Sequence, residues 1–295
     1  MTNEEVVIRA KEEFRLRGLS MNTEDEYLTV LRVFLKYHSN RSLETMGEED
    51  IRKFPLYQID LGKASGSVNI YNSALRFIFG AVLGRNLNCR MIPRKHHHRE
   101  FPDIMTKNEI VRFFSVIDNL RDQTMFETVY GAGLRLSEIT KLRTQDIDSE
   151  QMRIFVYQGK GGKDRYTLLS QRNLEILREY WKQYRPSHPE GYLFYAKGRK
   201  TGVMTSRTVG YSFRKYRKAA NLPDTFTVHT LRHCFATHLL ESGVDVCRIK
   251  ELLGHTSIQT TAFYLHLQNA GIDIKSPLDT LPKKRVRNPK VTADA

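Results

Sequence analysis

The spacing of apolar residues predicts helices along the first 90 positions of the chain. The stretch "NEEVVIRAKEEFRLRG" is amphipathic, and a second amphipathic stretch begins at the T-x-x-E pair Thr23 and Glu26. A further T-x-x-E pair, Thr45 and Glu48, predicts a short helix that stops before Pro55. The segment "SVNIYNSALRFIFGAVLG" predicts another helix. Four short helices in succession are typical of a small helical bundle.

The pattern changes after residue 102, where helices are joined by a β-hairpin. Thr106 and Glu109 form a capping box, and "TMFETVYGAGLRLSEITKLR" predicts two helices that are broken at the glycines 131–133. The runs "MRIFVY" and "RYTLL" predict two strands on either side of "QGKGGKD". Further helices are predicted at 171–184, 206–220, 229–242, 245–253 and 257–266. The fold class expected is mainly α with a small β-sheet, an α+β second domain.

These patterns predict two domains joined by a linker. We expect a helical domain at 1–90, a linker at 91–102, a second domain at 103–280 and a basic, disordered tail at 281–295. The linker contains two prolines, a basic run and three adjacent histidines. Adjacent histidines lack the spacing of metal ligands, so a solvated linker is favoured over a metal site.

Composition excludes several classes of protein. No apolar run reaches the roughly 18 residues that a membrane span needs. The N-terminus is acidic and lacks the apolar core of a signal peptide. The three cysteines, Cys89, Cys234 and Cys247, contain no C-x-x-C pair, which argues against a disulfide framework or a zinc cluster. A cytoplasmic location is expected.

The charge is concentrated in the second part of the chain. The formal net charge is +14, of which residues 1–100 contribute +3 and the remaining residues +11. A basic domain indicates a polyanionic partner, most commonly nucleic acid, although an inert basic surface is the alternative.

One predicted helix, in "VHTLRHCFATHLLESG", places cationic groups together. His229, Arg232 and His233 stand at i, i+3 and i+4 and share one face, which suggests an anion there. Neither glycine-rich stretch fits a nucleotide loop: "QGKGGKD" lacks the G-x4-G-K-[ST] spacing, and "GAGLRLS" has Leu136 where the third glycine of G-x-G-x-x-G belongs. ATP and NAD are therefore excluded, and no cofactor is expected.

Four motifs occur in an order that resembles the tyrosine recombinases. They are "AGLRLSEI", "GKGGKDR", "HTLRHCFATHLL" and "LLGHTSIQTTAFY". The resemblance, to the family of phage integrases, Xer recombinases and integron integrases, is strong over 103–270. It covers 1–90 only as a helical, SAM-like core-binding domain that clamps DNA. The segment "IDIKSPLDTLP" departs from the longer final helix of Xer proteins and looks more like integrases carried by transposons.

The resemblance implies a set of catalytic residues, a tyrosine nucleophile among them. By motif they are Arg135, Lys160, His229, Arg232, His255 and the nucleophile Tyr264. The chemistry of these residue types agrees with that implication. Planar guanidinium groups suit the charge on a five-coordinate phosphorus, and a tyrosine that attacks DNA forms a covalent phosphotyrosyl bond. A histidine is a candidate base, His229 in particular, and the lysine can protonate the leaving 5′-oxygen. No metal is implied.

Each of these residues also has an ordinary structural explanation. Arg135 and Glu138 could form a surface ion pair, Lys160 could be a turn lysine, His255 could favour a helix C-terminus, and Tyr264 could be a core residue. Together and in order, the motifs outweigh these explanations. His233 is kept off the catalytic set as a residue that could hold the site in place.

The expected function is therefore that of a site-specific DNA recombinase acting in integration, excision or resolution of a mobile element. The expected partners are double-stranded DNA with inverted-repeat core sites and three further copies of the chain, as a homotetramer on two DNA sites. The alternatives are DNA relaxation of the type IB topoisomerase kind and a DNA-binding protein without strand exchange.

Overall fold

The computed structural model describes residues 1–85, 87–88, 93–95, 102–157, 164–195, 202, 204–255, 257–262 and 264. The chain divides into two compact units, residues 1–100 and residues 101–295, and each is described by itself. Within the described ranges, no helix is both long and apolar enough to span a membrane.

The first unit consists of helices packed around an aromatic core. Its α-helices are α1 (Asn3–Leu16), α2 (Met21–Tyr37), α3 (Glu48–Asp60) and α4 (Ser65–Arg76), with a 3₁₀ turn at Leu43–Thr45 and a π-helical turn at Phe77–Val82. The buried core residues include Phe14, Phe34, Phe54 and Phe79. The prediction of four short helices is confirmed.

The predicted boundaries of two helices in the first unit are wrong. Helix α2 begins before Thr23, because the side chain of Ser20 accepts the Thr23 N–H and caps the helix. Helix α3 starts after Gly47, whose N–H donates to the Asp50 carboxylate at 3.0 Å. It continues through Pro55, which lies buried inside the helix. Packing of this face in the core outweighs the backbone hydrogen bond that the proline removes.

The start of the predicted linker is tied to α4. The side chain of Asn69 donates to the carbonyl of Lys95 at 2.9 Å and accepts the Lys95 N–H at 2.8 Å, and Asn72 donates to the carbonyl of Pro93 at 3.0 Å. The remaining positions of the linker except residue 102, including its three histidines, and the predicted tail lie outside the described residues.

The second unit combines eight α-helices and a 3₁₀ turn at Thr144–Asp146 with a small sheet in the part of the chain that the structure describes. The helices are α5 (Lys107–Ser115), α6 (Leu120–Ala132), α7 (Leu136–Ile139), α8 (Gln171–Tyr184), α9 (Ser206–Ala219), α10 (Val228–Glu241), α11 (Val246–Leu253) and α12 (Ile258–Ala262), and the strands are β1 (Ile147–Asp148), β2 (Arg153–Val156) and β3 (Arg165–Leu168). The predicted fold class, mainly α with a small β-sheet, is confirmed.

The sheet is antiparallel in the order β1-β2-β3. Strands β2 and β3 form the predicted hairpin, with Arg153 opposite Leu168 and Val156 opposite Arg165. The two-residue strand β1 was not predicted, because it is too short to show an alternating pattern. Residues 158–163, which connect β2 to β3, lie outside the described residues.

The core of the second unit places α10 beside α6. Gly133 ends α6 with a left-handed backbone, φ +62°, and a Cβ atom there would lie 2.4 Å from the ring of Phe235 on α10. Only glycine meets both conditions, the positive φ and the close approach. This contact brings the α6–α7 break, which carries Arg135, against the middle of α10.

Candidate active site

Arg135 stands at the start of α7, two residues after the glycine that ends α6. Its Nη1 donates to Glu138 Oε1 at 2.7 Å, its backbone N–H donates to Glu138 Oε2 at 2.8 Å, and its Nη2 donates to the carbonyl of Gly254 at 3.3 Å. The ion pair with Glu138, which the sequence offered as an ordinary surface contact, therefore exists, but it is largely removed from solvent, with 16% and 7% of the two side chains exposed.

Arg232 on α10 is buried close to the α6–α7 break and to the end of α11. It donates to the carbonyl of Gly133 and, at 2.7 Å, to the carbonyl of Leu253, and its Nη2 lies 3.3 Å from His255 Nε2. Burial, followed by the charge of Arg135, lowers the pKa of Arg232 to about 9. The guanidinium therefore stays charged at neutral pH and remains able to bind an anion.

Glu138 is the acidic centre of the cluster, and sequence reasoning did not assign it a role beyond a surface pair. Arg165 on β3 donates to both of its oxygens, at 2.8 and 2.7 Å, and Arg232 Nη1 lies 3.8 Å from Oε2. Burial would raise the pKa of Glu138, but hydrogen bonds and charge from Arg165 and Arg135 outweigh it and lower the pKa to about 2. The cluster of three guanidiniums and one carboxylate carries a net positive charge.

His255 follows the end of α11, and Tyr264 follows α12. His255 Nδ1 lies 2.8 Å from the hydroxyl of Thr261 on α12, and the rings of His255 and Tyr264 are nearly parallel, with centroids 6.5 Å apart. Burial, followed by the charges of Arg232 and Arg135, lowers the pKa of His255 to about 3. The imidazole is therefore neutral at pH 7.

The hydroxyl of Tyr264 is hydrogen-bonded to a histidine that the motif did not assign. His233 Nδ1 lies 2.8 Å from Tyr264 Oη, and only 4% of Tyr264 is exposed. Burial lowers the pKa of His233 to about 4, and burial raises the pKa of Tyr264 although Arg232 and Arg135 oppose the rise. The signal in the sequence was the position of His233, four residues after His229 on the same helix face.

Two of the sequence-predicted residues are not joined to the cluster by a described contact. His229 is exposed, and no hydrogen bond connects its side chain to a described residue. Packing against its neighbours, followed by the charges of Arg232 and Arg135, lowers the pKa of His229. Lys160 lies outside the described residues. The structure thus places four of the six predicted residues close together: Arg135, Arg232, His255 and Tyr264.

The arrangement suits a phosphodiester. Guanidinium groups on a rigid frame offer paired donors to phosphate oxygens, and a phenol beside neutral imidazoles can lose its proton to one of them. Among the residues that the structure describes, no three His, Cys, Asp or Glu side chains are grouped so as to hold a metal ion.

The chain matches two family models. The model of the phage integrase family matches residues 103–270, and that of the phage integrase N-terminal SAM-like domain matches residues 8–89. An integrase/recombinase of Escherichia coli is 30% identical, over 94% of this chain and 94% of that protein. The tyrosine recombinase XerA of Pyrococcus horikoshii is 34% identical, over 84% of each chain.

Solved structures agree in fold. The lambda integrase tetramer bound to a Holliday junction aligns with a TM-score of 0.70 at 20% identity, over 90% of this chain and 77% of that one. The XerH recombinase in a pre-cleavage complex with its difH substrate also gives 0.70, at 21% identity, over 90% and 82%. The family match favours recombination over the topoisomerase alternative. The chain belongs to the phage integrase family and is a tyrosine-type site-specific recombinase.

Proposed function

We propose that the chain cleaves and rejoins DNA through a covalent 3′-phosphotyrosyl bond to Tyr264. The observation that carries this proposal is the hydrogen bond between Tyr264 Oη and His233 in the unit that holds Arg135, Arg232 and His255. A phenol that is held by a neutral imidazole next to buried guanidiniums has the parts that attack on a phosphodiester needs.

The proposed step forms one bond and breaks another. The phenolic oxygen of Tyr264 attacks the phosphorus, and the bond from phosphorus to the 5′-oxygen breaks, so that the number of phosphoester bonds is conserved and no ATP is required. Arg135 and Arg232 hold the non-bridging oxygens, and the role of His255 as a further donor stays a prediction. Lys160 is proposed to protonate the 5′-oxygen, a role that rests on the resemblance of its motif alone.

The proton of Tyr264 needs an acceptor, because burial raises the pKa of the phenol. His233 is in hydrogen-bond contact with that hydroxyl and is neutral at pH 7, so it can accept the proton. A phosphate bound between the guanidiniums would bring negative charge close to His233 and raise its pKa from about 4. His229, the base suggested by the motif, stays a prediction.

Helix α9 offers a basic face that suits the DNA backbone. Arg207, Tyr211, Arg214 and Lys218 are exposed at spacings of four, three and four residues, which places them along one side of the helix. The helix has no acidic residue, and 68% of Tyr211 is exposed. We therefore place part of the DNA contact on this face.

The wider role that we propose is integration, excision or resolution of a mobile element in the cytoplasm, on double-stranded DNA with inverted-repeat core sites. Each subunit supplies one tyrosine, so exchange of four strands requires a homotetramer on two DNA sites. The lambda integrase tetramer, which shares the fold, supports this stoichiometry. Sedimentation of the two-site complex should give four protomers.

The test of the proposed function is the variant Tyr264→Phe. A binding site is selected from a random-sequence duplex library, and duplexes nicked at successive positions of that site trap the cleaved state, because the released fragment diffuses away. We expect a covalent protein–DNA adduct with the wild type and none with the variant, which loses only a hydroxyl. Tyr166→Phe, which removes an exposed hydroxyl on β3, is the matched control and should still form the adduct. An undiminished adduct with Tyr264→Phe would overturn the proposal.

A further inference from the structure

Arg165 is a buried arginine that the proposed reaction does not use. It lies on β3 with 7% of its side chain exposed, and all three of its guanidinium nitrogens donate to protein acceptors. Nη1 and Nη2 donate to the two oxygens of Glu138, and Nε donates to the carbonyl of Leu252 at 2.8 Å. Because all three nitrogens donate to protein acceptors and the catalytic set implied by the family motifs does not include this residue, we do not assign Arg165 a contact with DNA.

The end of α11 binds three arginines through consecutive backbone carbonyls. Three consecutive carbonyl oxygens each accept a hydrogen bond from a different guanidinium: Leu252 from Arg165 at 2.8 Å, Leu253 from Arg232 at 2.7 Å, and Gly254 from Arg135 at 3.3 Å. The last carbonyls of a helix have no partner within it and form the negative end of its dipole. The helix end therefore sets the spacing between the guanidiniums.

The stem of Arg165 fits closely beside Gly254. This glycine has φ +63°, and a Cβ atom at its position would lie 2.7 Å from Arg165 Cδ. The side chain therefore passes through space that only glycine leaves open. Arg165 thus connects strand β3, the end of α11 and the carboxylate of Glu138 through one rigid group.

The contacts of Glu138 indicate what would change if Arg165 were removed. Its carboxylate now receives two hydrogen bonds from Arg165 and one from the side chain of Arg135, while Arg232 lies 3.8 Å away. Without Arg165, a buried carboxylate would need other donors, and the other described cations that lie near it are the two arginines proposed to hold the phosphate. It would then compete with the phosphate for them.

We propose that Arg165 is a positioning residue for strand cleavage, an inference that rests on the proposed function. By occupying Glu138 and the end of α11, it keeps Arg135 and Arg232 in the geometry that contacts the scissile phosphate. Removing one partner of a buried ion pair leaves the other charge unpaired and destabilises the fold. The proposal therefore predicts a loss in the rate of cleavage per folded molecule, in addition to any loss of stability.

The experiment compares the full-length variants Arg165→Met and Arg165→Lys with Arg153→Met. Arg153 is the matched control, because it lies on the neighbouring strand β2 and pairs with Asp148 at 2.9 Å, away from the cluster, with 35% of its side chain exposed. DNA affinity and single-turnover cleavage are measured on the nicked duplexes that trap the wild type. A second substrate carries a methylphosphonate at the scissile position, where a methyl group replaces one non-bridging oxygen and removes its charge.

We expect Arg165→Met to bind DNA within about threefold of the wild type and to cleave about 100-fold more slowly, the cost of a displaced catalytic group. Arg165→Lys keeps the charge without the planar fork and should lose about tenfold. Arg153→Met should cleave normally. On the methylphosphonate, the loss of cleavage rate in Arg165→Met relative to the wild type should be severalfold smaller, because the guanidiniums have less negative charge to stabilise.

Two results would overturn the proposal. One is cleavage by Arg165→Met within about threefold of the wild type, well short of the expected loss. The other is an equal deficit on both substrates accompanied by a parallel loss of DNA affinity and of the thermal unfolding midpoint, which describes a purely structural residue. A wild-type adduct that Tyr264→Phe cannot form leaves the proposed function standing whichever way the Arg165 variants behave.

Discussion

The helical unit and the arginine cluster are both buried, but they are held together by opposite kinds of contact. In the helical unit, the fully buried ring of Phe34 meets Phe54 edge-on at 5.2 Å and Phe79 at 6.0 Å. In the cluster, Glu138 and Arg165 are equally buried and meet through hydrogen bonds. Apolar contacts are not directional and tolerate changes of shape, whereas charged hydrogen bonds require defined positions.

The difference indicates what each region is selected for. Apolar burial stabilises the fold in proportion to the area removed from water, whereas taking charges out of water costs free energy that their attraction only partly offsets. The buried charges around Glu138 are therefore poorly explained as a source of stability. They are well explained as a frame that holds cations ready for an anion before it arrives.

Conservative substitutions in the two regions should therefore differ in what they damage. The largest effect is expected for Arg232→Lys and Arg135→Lys, which keep the charge but lose the planar fork. Loss of one preorganised donor costs roughly 100- to 1000-fold in rate in comparable sites. Single-turnover cleavage measures this loss, with Arg178→Lys on the exposed face of α8 as the control. Rates within about threefold of the wild type, far short of that loss, would make these arginines structural.

A smaller effect is expected for Phe34→Leu in the helical unit. The substitution stays apolar, so the free energy of unfolding should fall by only about 1–1.5 kcal/mol, while the rate of cleavage per folded molecule stays unchanged. Chemical denaturation measures the stability, and Val33→Ala, at a position that is 42% exposed, should be nearly neutral. If Phe34→Leu slowed cleavage as strongly as Arg232→Lys, the contrast between the two regions would be lost.

The smallest expected effect is the dependence of folding stability on pH. Burial lowers the pKa of His233 to about 4 and that of His255 to about 3, so the unfolded chain binds more protons than the folded one below pH 6.5. Stability is therefore full above that pH and decreases as the pH falls toward the folded values. Because both histidines are only partly buried, solvent screening reduces the effect, and we expect a loss on the order of 1 kcal/mol from pH 7 to pH 5. Denaturation of His233→Gln should show a shallower pH dependence, and an unchanged one would exclude His233 as the source.

The sequence predicted those features of the fold that depend on residues close together in the chain. The capping box of Thr106 and Glu109 begins α5 as expected, because both partners lie within one turn. The same T-x-x-E pattern at Thr45 and Glu48 was misleading, since Gly47 and Asp50 provide the cap there. A motif of two residues does not specify which of two neighbouring positions is the better start of a helix, because that depends on how the helix packs.

The contacts that define the candidate site could not be predicted in this way. Arg165 reaches Glu138 across 27 positions, and His233 reaches Tyr264 across 31. Spacing along a helix identifies residues that share a face, but it does not reveal which side chain from another element meets that face. The family resemblance supplied Arg135, Arg232, His255 and Tyr264, whereas the roles of Glu138 and His233 became visible only in the fold.

The length of α11 is constrained more tightly than its composition. Its end presents three carbonyls one residue apart, and each is matched to its own guanidinium. Insertion or deletion of a single residue before Gly254 would rotate the helix end by about 100° and pair every arginine with the wrong carbonyl. Exposed positions such as Cys247 and Arg248 face solvent and are free to vary. We expect relatives to differ freely at the exposed positions of this helix while keeping the number of residues in its last turn.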